Sequence, residues 1–222
     1  MLNKMSLLLA AAAVAVSAGA ANAQSSDWGH QNDRNNTAPY ADNNQNQSGY
    51  GNGYNFGYDD GNARRDRTDL LFHLSDPPTV EYMDIEPLTD LAGADAVIAW
   101  ATGLAASGDG VRWAIRDRAG AFVGTAGFNS TVRERGARGE VAYDVVRARW
   151  RQGVMTEVLP VVLRHGFEAL GLHRIEAMVT PGNEASAALL GRYGFQREAV
   201  LRDYAFWKGR YWDQWLYARL AD

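Results

Sequence analysis

"RWRQGVMTEVL", Arg149 to Leu159, joins two stretches of different period. Upstream, "EVAYDVV" (Glu140 to Val146) alternates as a strand does. Downstream, "VVLRHGFEAL" (Val161 to Leu170) has the spacing of an amphipathic helix. "LHRIEAMVT" (Leu172 to Thr180) then reads as a second strand, which makes a strand–helix–strand unit with parallel strands. Gly153 sits at the first junction. A glycine there serves a tight turn, or it lets an anion approach the N–H groups that open a helix. The stretch alone leaves both readings standing.

The elements on either side fill in the class. "RTDLLFHLSD" (Arg67 to Asp76) predicts a short helix stopped by Pro77 and Pro78, and "LTDLAGADAVIAWATGLAASG" (Leu88 to Gly108) a second helix capped by Thr89 or Asp90. "GVRWAIRD" and "AFVGTAGFNS" predict a strand pair around the turn "RAGA". After the helix at Gly153, expected to bend at Pro160, come the strand above and a helix in "NEASAALLGRYG". "FQREAVLRDYAFW" and "YWDQWLYARL" close the chain as a hairpin around "KGR". The fold class is α/β: a central mixed, mostly antiparallel sheet flanked by helices. In such sheets ligands sit at the carboxyl ends of strands, beside helix N-termini, which is where Gly153 lies.

Composition bounds what this domain does. The chain has 222 residues and no cysteine, which excludes disulfides, Cys-based zinc sites and a Cys nucleophile. A net charge of −4 argues against a nucleic-acid partner. His30, His73, His165 and His173 have no metal-binding spacing, so no metal is expected, and His165 reads as part of a solvated helix face. There is no Gly-x-Ser-x-Gly elbow and no Gly-Lys-Ser/Thr phosphate loop. Residues 1–23 resemble a secretory signal: Lys4, a short alanine-rich apolar run, then Ala21-Asn22-Ala23. That run is too short for a stable membrane span. Residues 24–64, rich in Asn, Gln, Gly and Tyr and without Leu, Ile, Val or Met, read as a disordered linker. Residues 65–222 have the composition of a globular domain.

Taken in order, Trp150, Gly153, Thr156-Glu157, Asn183 with Ser186, Gly194-Phe195, Glu198 and Trp212-Asp213 resemble the GNAT superfamily of acetyl-CoA-dependent N-acetyltransferases. Within it they look like the RimJ/RimL branch, and the resemblance covers about residues 68–222. It implies acetyl-CoA as cosubstrate, its pyrophosphate on the amides of Gln152, Gly153, Val154, Met155 and Thr156. It also implies contacts from Asn183 and from Val145, the latter holding the pantetheine arm and the acetyl carbonyl between two splayed strands. The implied acceptor is a primary amine, of a protein N-terminus or of a small amine or amino acid, that attacks the thioester directly. The family's frequent acid, a Tyr seven residues after the Asn, is Leu190 here, so Ser186 is the candidate acid. Glu140 and Glu176, on the strands beside the cleft, are the candidate bases.

The chain departs from the branch at its start. The family's first strand, reading like "LRLRPL", is missing, or is replaced by "YNFGY" (Tyr54 to Tyr58). The signal-like start predicts export, whereas acetyl-CoA chemistry predicts the cytoplasm. The alternative expectation is therefore an exported, non-catalytic envelope or binding protein with a vestigial domain of this type. A monomer or a homodimer is expected.

Overall fold

The computed structural model describes residues 63–221, apart from position 135. The signal-like start, the Asn/Gly-rich segment and "YNFGY" lie outside the described residues. Three helices come first: α1 (Ala63–Leu74), α2 (Pro77–Val80) and α3 (Leu91–Ser107). Pro77 suits the first position of α2, where its missing N–H costs nothing. Asp90 caps α3, accepting a hydrogen bond from the Gly93 N–H at 2.9 Å.

Six strands form one sheet: β1 (Val111–Arg116), β2 (Phe122–Val132), β3 (Arg138–Val145), β4 (Arg174–Val179), β5 (Gln196–Trp207) and β6 (Arg210–Leu220). Their spatial order is β1-β2-β3-β4-β6-β5. Every pair is antiparallel except β3–β4. The parallel pair is joined through α4 (Val154–Arg164), as the strand–helix–strand reading requires. Among the described residues no strand precedes β1, and no strand covers its outer edge. No helix among them is long and apolar enough to cross a membrane.

The two faces of the sheet carry separate cores. On one, Val158, Leu159, Val162 and Leu163 of α4 bury against Val123, Phe128, Val141, Ile175 and Val179, with Leu190 from α5 (Glu184–Arg192). Each such side chain contributes about 1.5–3 kcal/mol when fully buried. On the other, Leu70 and Leu74 of α1 meet Val80, Ala94 and Val97. A polar cluster ties this second layer to the sheet. Asp144 accepts hydrogen bonds from the Thr125 hydroxyl and, at 3.0 Å, the Thr125 N–H, lies 3.2 Å from the Arg112 guanidinium, and is 2.6 Å from His73 Nε2. Arg116 reaches back to Asp66 and Asp69 on α1.

α4 continues through Pro160 to Arg164, a π turn follows at His165–Ala169, and the expectation for His165 is corrected. Pro160 is exposed, on the side of α4 away from the sheet, so its ring does not disturb the packed face. His165 is not on a solvated face. It is half-buried, with its ring edge-on to Trp113 at 4.9 Å, and burial lowers its pKa.

Candidate active site

The β3–β4 ladder has a limited run: Arg138 pairs with Arg174, Gly139 with Ile175 and Glu140 with Glu176, and there it ends. Beyond that rung β3 stays on β2 as far as Val145 opposite Gly124, while β4 stays on β6 as far as Val179 opposite Trp215. The strands therefore part, and a wedge opens through the sheet toward their carboxyl ends. Backbone polarity along the wedge follows from alternation. The Val146 N–H bonds Val123 O on the β2 side, so Val145 and Tyr143, which lie beyond the last rung, turn their N–H and C=O groups the other way, into the wedge. Trp150 confirms the direction, because its indole N–H donates to the Val145 carbonyl at 2.7 Å. That bond occupies the Val145 acceptor and leaves its N–H facing the opening.

The N-terminus of α4 closes the wide end of the wedge. Gly153 is its N-cap, in the left-handed region at φ 80°, and a Cβ there would meet nothing within 4 Å. Arg151, at φ 57°, turns the chain just before it. The first intrahelical bond runs from the Glu157 N–H to Gly153 O, so helix geometry gives the N–H groups of Gly153, Val154, Met155 and Thr156 no partner in the helix. These groups also carry the positive end of the helix dipole. The Gln152 N–H differs: it turns back to Arg149 O at 3.4 Å, which centres the donor set one residue further on. Arg149 itself is paired with Asp117 at 2.7 Å, and Arg151 is exposed.

The start of α5 supplies the narrow side. Asn183 is the N-cap, and its side-chain oxygen accepts from the Ser186 N–H at 3.2 Å. The Ser186 hydroxyl lies 2.8 Å from the Tyr143 hydroxyl, so it bridges α5 to β3 rather than folding back on its own helix. Burial pushes the Tyr143 pKa up to about 12, against a smaller lowering by the bond to Ser186, so the phenol stays protonated near neutrality. Leu190 is fully buried in the core and takes no part in the opening.

The carboxylates come from the other face. Tyr143 reaches α5, and alternation sends its neighbours Ala142 and Asp144 to the side of α1, where Asp144 meets His73. Glu140 shares that side, as does Glu176, its partner on the last rung. Burial raises the Glu140 pKa; Asp84 and Glu176 add to the rise, while a hydrogen bond from Asn129 and the charge of Arg112 oppose it. Glu176 is engaged by Arg174 Nε at 2.6 Å. Asp84, in the α2–α3 connection, is also raised, first by burial. That connection is pinned where Lys208, at the tip of the β5–β6 hairpin, bonds the carbonyls of Val80 and Met83, and where the Thr180 hydroxyl bonds Tyr82 O at 3.0 Å. Among the described residues no group of His, Asp or Glu is placed to hold a metal ion.

The candidate residues thus sit on the elements that border the wedge: Gly153 to Thr156 at the start of α4, Val145 on the β3 edge, Asn183 and Ser186 at the start of α5, and Glu140 and Glu176 on the last β3–β4 rung. Sequence reasoning missed Tyr143, whose phenol meets Ser186. It also missed Tyr193, whose hydroxyl donates to Thr156 O at 2.6 Å. Neither carried a signal beyond an aromatic residue at a strand or helix end.

Residues 62–196 match the family model described as an acetyltransferase (GNAT) domain. The uncharacterized N-acetyltransferase p20 of Bacillus licheniformis is 38% identical over 152 residues, which span 68% of this chain and 85% of that protein. The [ribosomal protein uS5]-alanine N-acetyltransferase of Escherichia coli is 31% identical over 97 residues, 44% of this chain and 50% of that one. Among solved structures, Mycobacterium smegmatis RimJ in complex with CoA-disulfide superposes with a TM-score of 0.65 at 27% identity, over 71% of this chain and 78% of that one. With the sheet order, the wedge and the helix start already in place, these matches lead to one conclusion: the chain belongs to the GNAT acetyltransferase family, as an N-acetyltransferase.

Proposed function

We propose that the protein transfers the acetyl group of acetyl-CoA to a primary amine, as a RimJ/RimL-like enzyme. The observation that carries this reading is the wedge between β3 and β4, with free-facing backbone groups along its edge and a bare helix start at its wide end. An extended, amide-bearing arm fits beside Tyr143 and Val145 as an extra strand would. A pyrophosphate fits the donors of Gly153 to Thr156, where the open space above Gly153 leaves room for its oxygens. The similarity to RimJ, solved with a CoA disulfide, supports the same occupant here.

Acetyl-CoA supplies the thioester; the protein supplies position and protons. An amine that arrives as a cation first loses one proton to solvent; the neutral nitrogen then attacks the acetyl carbon, the C–S bond breaks, and a second proton leaves the nitrogen while one reaches the sulfur. An N–H on the β3 edge, that of Val145 foremost, donates to the acetyl oxygen, where negative charge grows. Ser186, with its hydroxyl held by Tyr143, gives the sulfur its proton. Glu140 takes the amine's proton, directly or through one water. Its raised pKa brings it toward the working range of a base, whereas Glu176 is committed to Arg174. The carboxylates on this face also favour an amine that arrives as a cation: a protein N-terminus, as in the uS5-alanine relative, or a small amine or amino acid. Calorimetry with acetyl-CoA, followed by CoA release across a panel of N-terminal peptides and small amines, tests the proposal on the full chain. Absence of both binding and CoA release would sink it.

A further inference from the structure

Pro160 lies inside α4 and has no N–H, so the carbonyl four residues earlier loses the hydrogen bond a helix gives it. That carbonyl belongs to Thr156. It is the group that Tyr193, just past the end of α5, meets with its hydroxyl at 2.6 Å. A side-chain O–H thus stands in for the missing backbone N–H, from an element 37 positions along the chain. Tyr193 is held in turn: its N–H bonds Leu190 O at 3.0 Å, and its carbonyl accepts from Arg219 at 3.1 Å.

The location gives the substitution a purpose. Thr156 is the third residue of α4, and its own N–H is one of the donors at the helix start. An unanchored carbonyl beside a proline tilts outward and takes its peptide plane with it, and that plane holds the Glu157 N–H, which bonds Gly153 O at 3.2 Å. Anchoring the carbonyl from α5 keeps this bond, and with it the first turn of α4 that carries the Val154, Met155 and Thr156 amides. The same α5 begins at Asn183 and carries Ser186. One short helix therefore fixes the proton donor at its N-terminal end and the donor turn of α4 at its C-terminal end.

We infer that Tyr193 is a positioning residue for the pyrophosphate site: its hydroxyl replaces the backbone donor that Pro160 lacks and holds the first turn of α4 in its anion-binding shape. The inference rests on the acetyl-CoA reading above. It predicts that Tyr193→Phe raises KM for acetyl-CoA about fivefold, the worth of one hydrogen bond, with kcat nearly unchanged. KM for S-acetylpantetheine, which has no pyrophosphate, should not move. Pro160→Ala restores a backbone N–H toward Thr156 O, so in that background Tyr193→Phe should have little effect on KM. An unchanged KM for acetyl-CoA in Tyr193→Phe overturns the inference. So does an equal rise for both thioesters, or a Pro160→Ala background that leaves the Tyr193→Phe effect intact. Gly153→Glu separates the two levels. If it abolishes acetyl-CoA binding while Tyr193→Phe changes nothing, only the positioning role fails. If it binds as the wild type does, the pyrophosphate assignment fails with it.

Discussion

The hydroxyls of Tyr143 and Ser186 meet at 2.8 Å across the gap between β3 and α5. A phenol that holds its proton can donate to the serine oxygen, and in that arrangement the serine proton is free to point into the opening. Ser186→Ala should therefore lower kcat about a hundredfold, in the usual range for a lost proton donor, with KM for acetyl-CoA little changed. Steady-state kinetics across several amines checks this. A wild-type kcat would reduce Ser186 to a structural link.

Glu140 makes a prediction about pH. A base acts in its ionised form, so kcat/KM should rise with pH through the raised Glu140 pKa, and Glu140→Gln should flatten that limb and lower kcat/KM about a hundredfold. Stability should move the other way. A carboxyl whose folded pKa exceeds its unfolded value binds its proton more tightly when folded, so its contribution is lost as pH rises through the folded pKa. At neutral pH Glu140→Gln should melt no lower than wild type. A less stable variant would mark Glu140 as a structural carboxylate.

Asp144 carries the opposite sign. Burial pushes its carboxyl up, but His73, Arg112 and Thr125 together outweigh this and hold it below the usual carboxylate range. Its contribution is present above the unfolded value of 3.8 and is lost as pH falls through the folded pKa. Asp144→Asn leaves Arg112 buried without its counter-charge and should cost about 3–5 kcal/mol, read by urea titration at neutral pH. Combined with His73→Ala the losses should fall short of additive, because both remove the same contact.

Gly153 separates backbone strain from binding. Its site has room for a side chain, but φ 80° costs a non-glycine residue about 1–2 kcal/mol. Gly153→Ala and Gly153→Glu should then lose similar stability by thermal melting. Only the glutamate, which sets a negative charge over the N–H groups, should lose acetyl-CoA.

What was legible in the sequence was what is local. The period change around Gly153 located a strand-to-helix junction, and the structure puts the N-cap at that residue. Asp90 and Asn183 lie at helix starts because short polar side chains satisfy the first N–H groups. The parallel β3–β4 pair followed from the helix between them. What escaped depends on distant partners. His73 and Asp144 are 71 positions apart, and Tyr143 and Ser186 are 43 apart, with no pattern to link them. Pro160 shows the limit within a helix. Its lost N–H was legible, but not the partner of the carbonyl it frees, because Tyr193 lies 37 positions along the chain.

The early end of the β3–β4 ladder has a kinetic consequence. A slot cut through a sheet has two mouths, whereas a pit sunk into one face has one. Ser186 lies on one face of the sheet and Glu140 on the other, so on the proposed reading donor and acceptor need not queue for a shared entrance. Each can arrive, and each product depart, while the other is resident. On the acetyl-CoA reading the enzyme should work through a ternary complex with no compulsory order, and its double-reciprocal plots should intersect instead of running parallel.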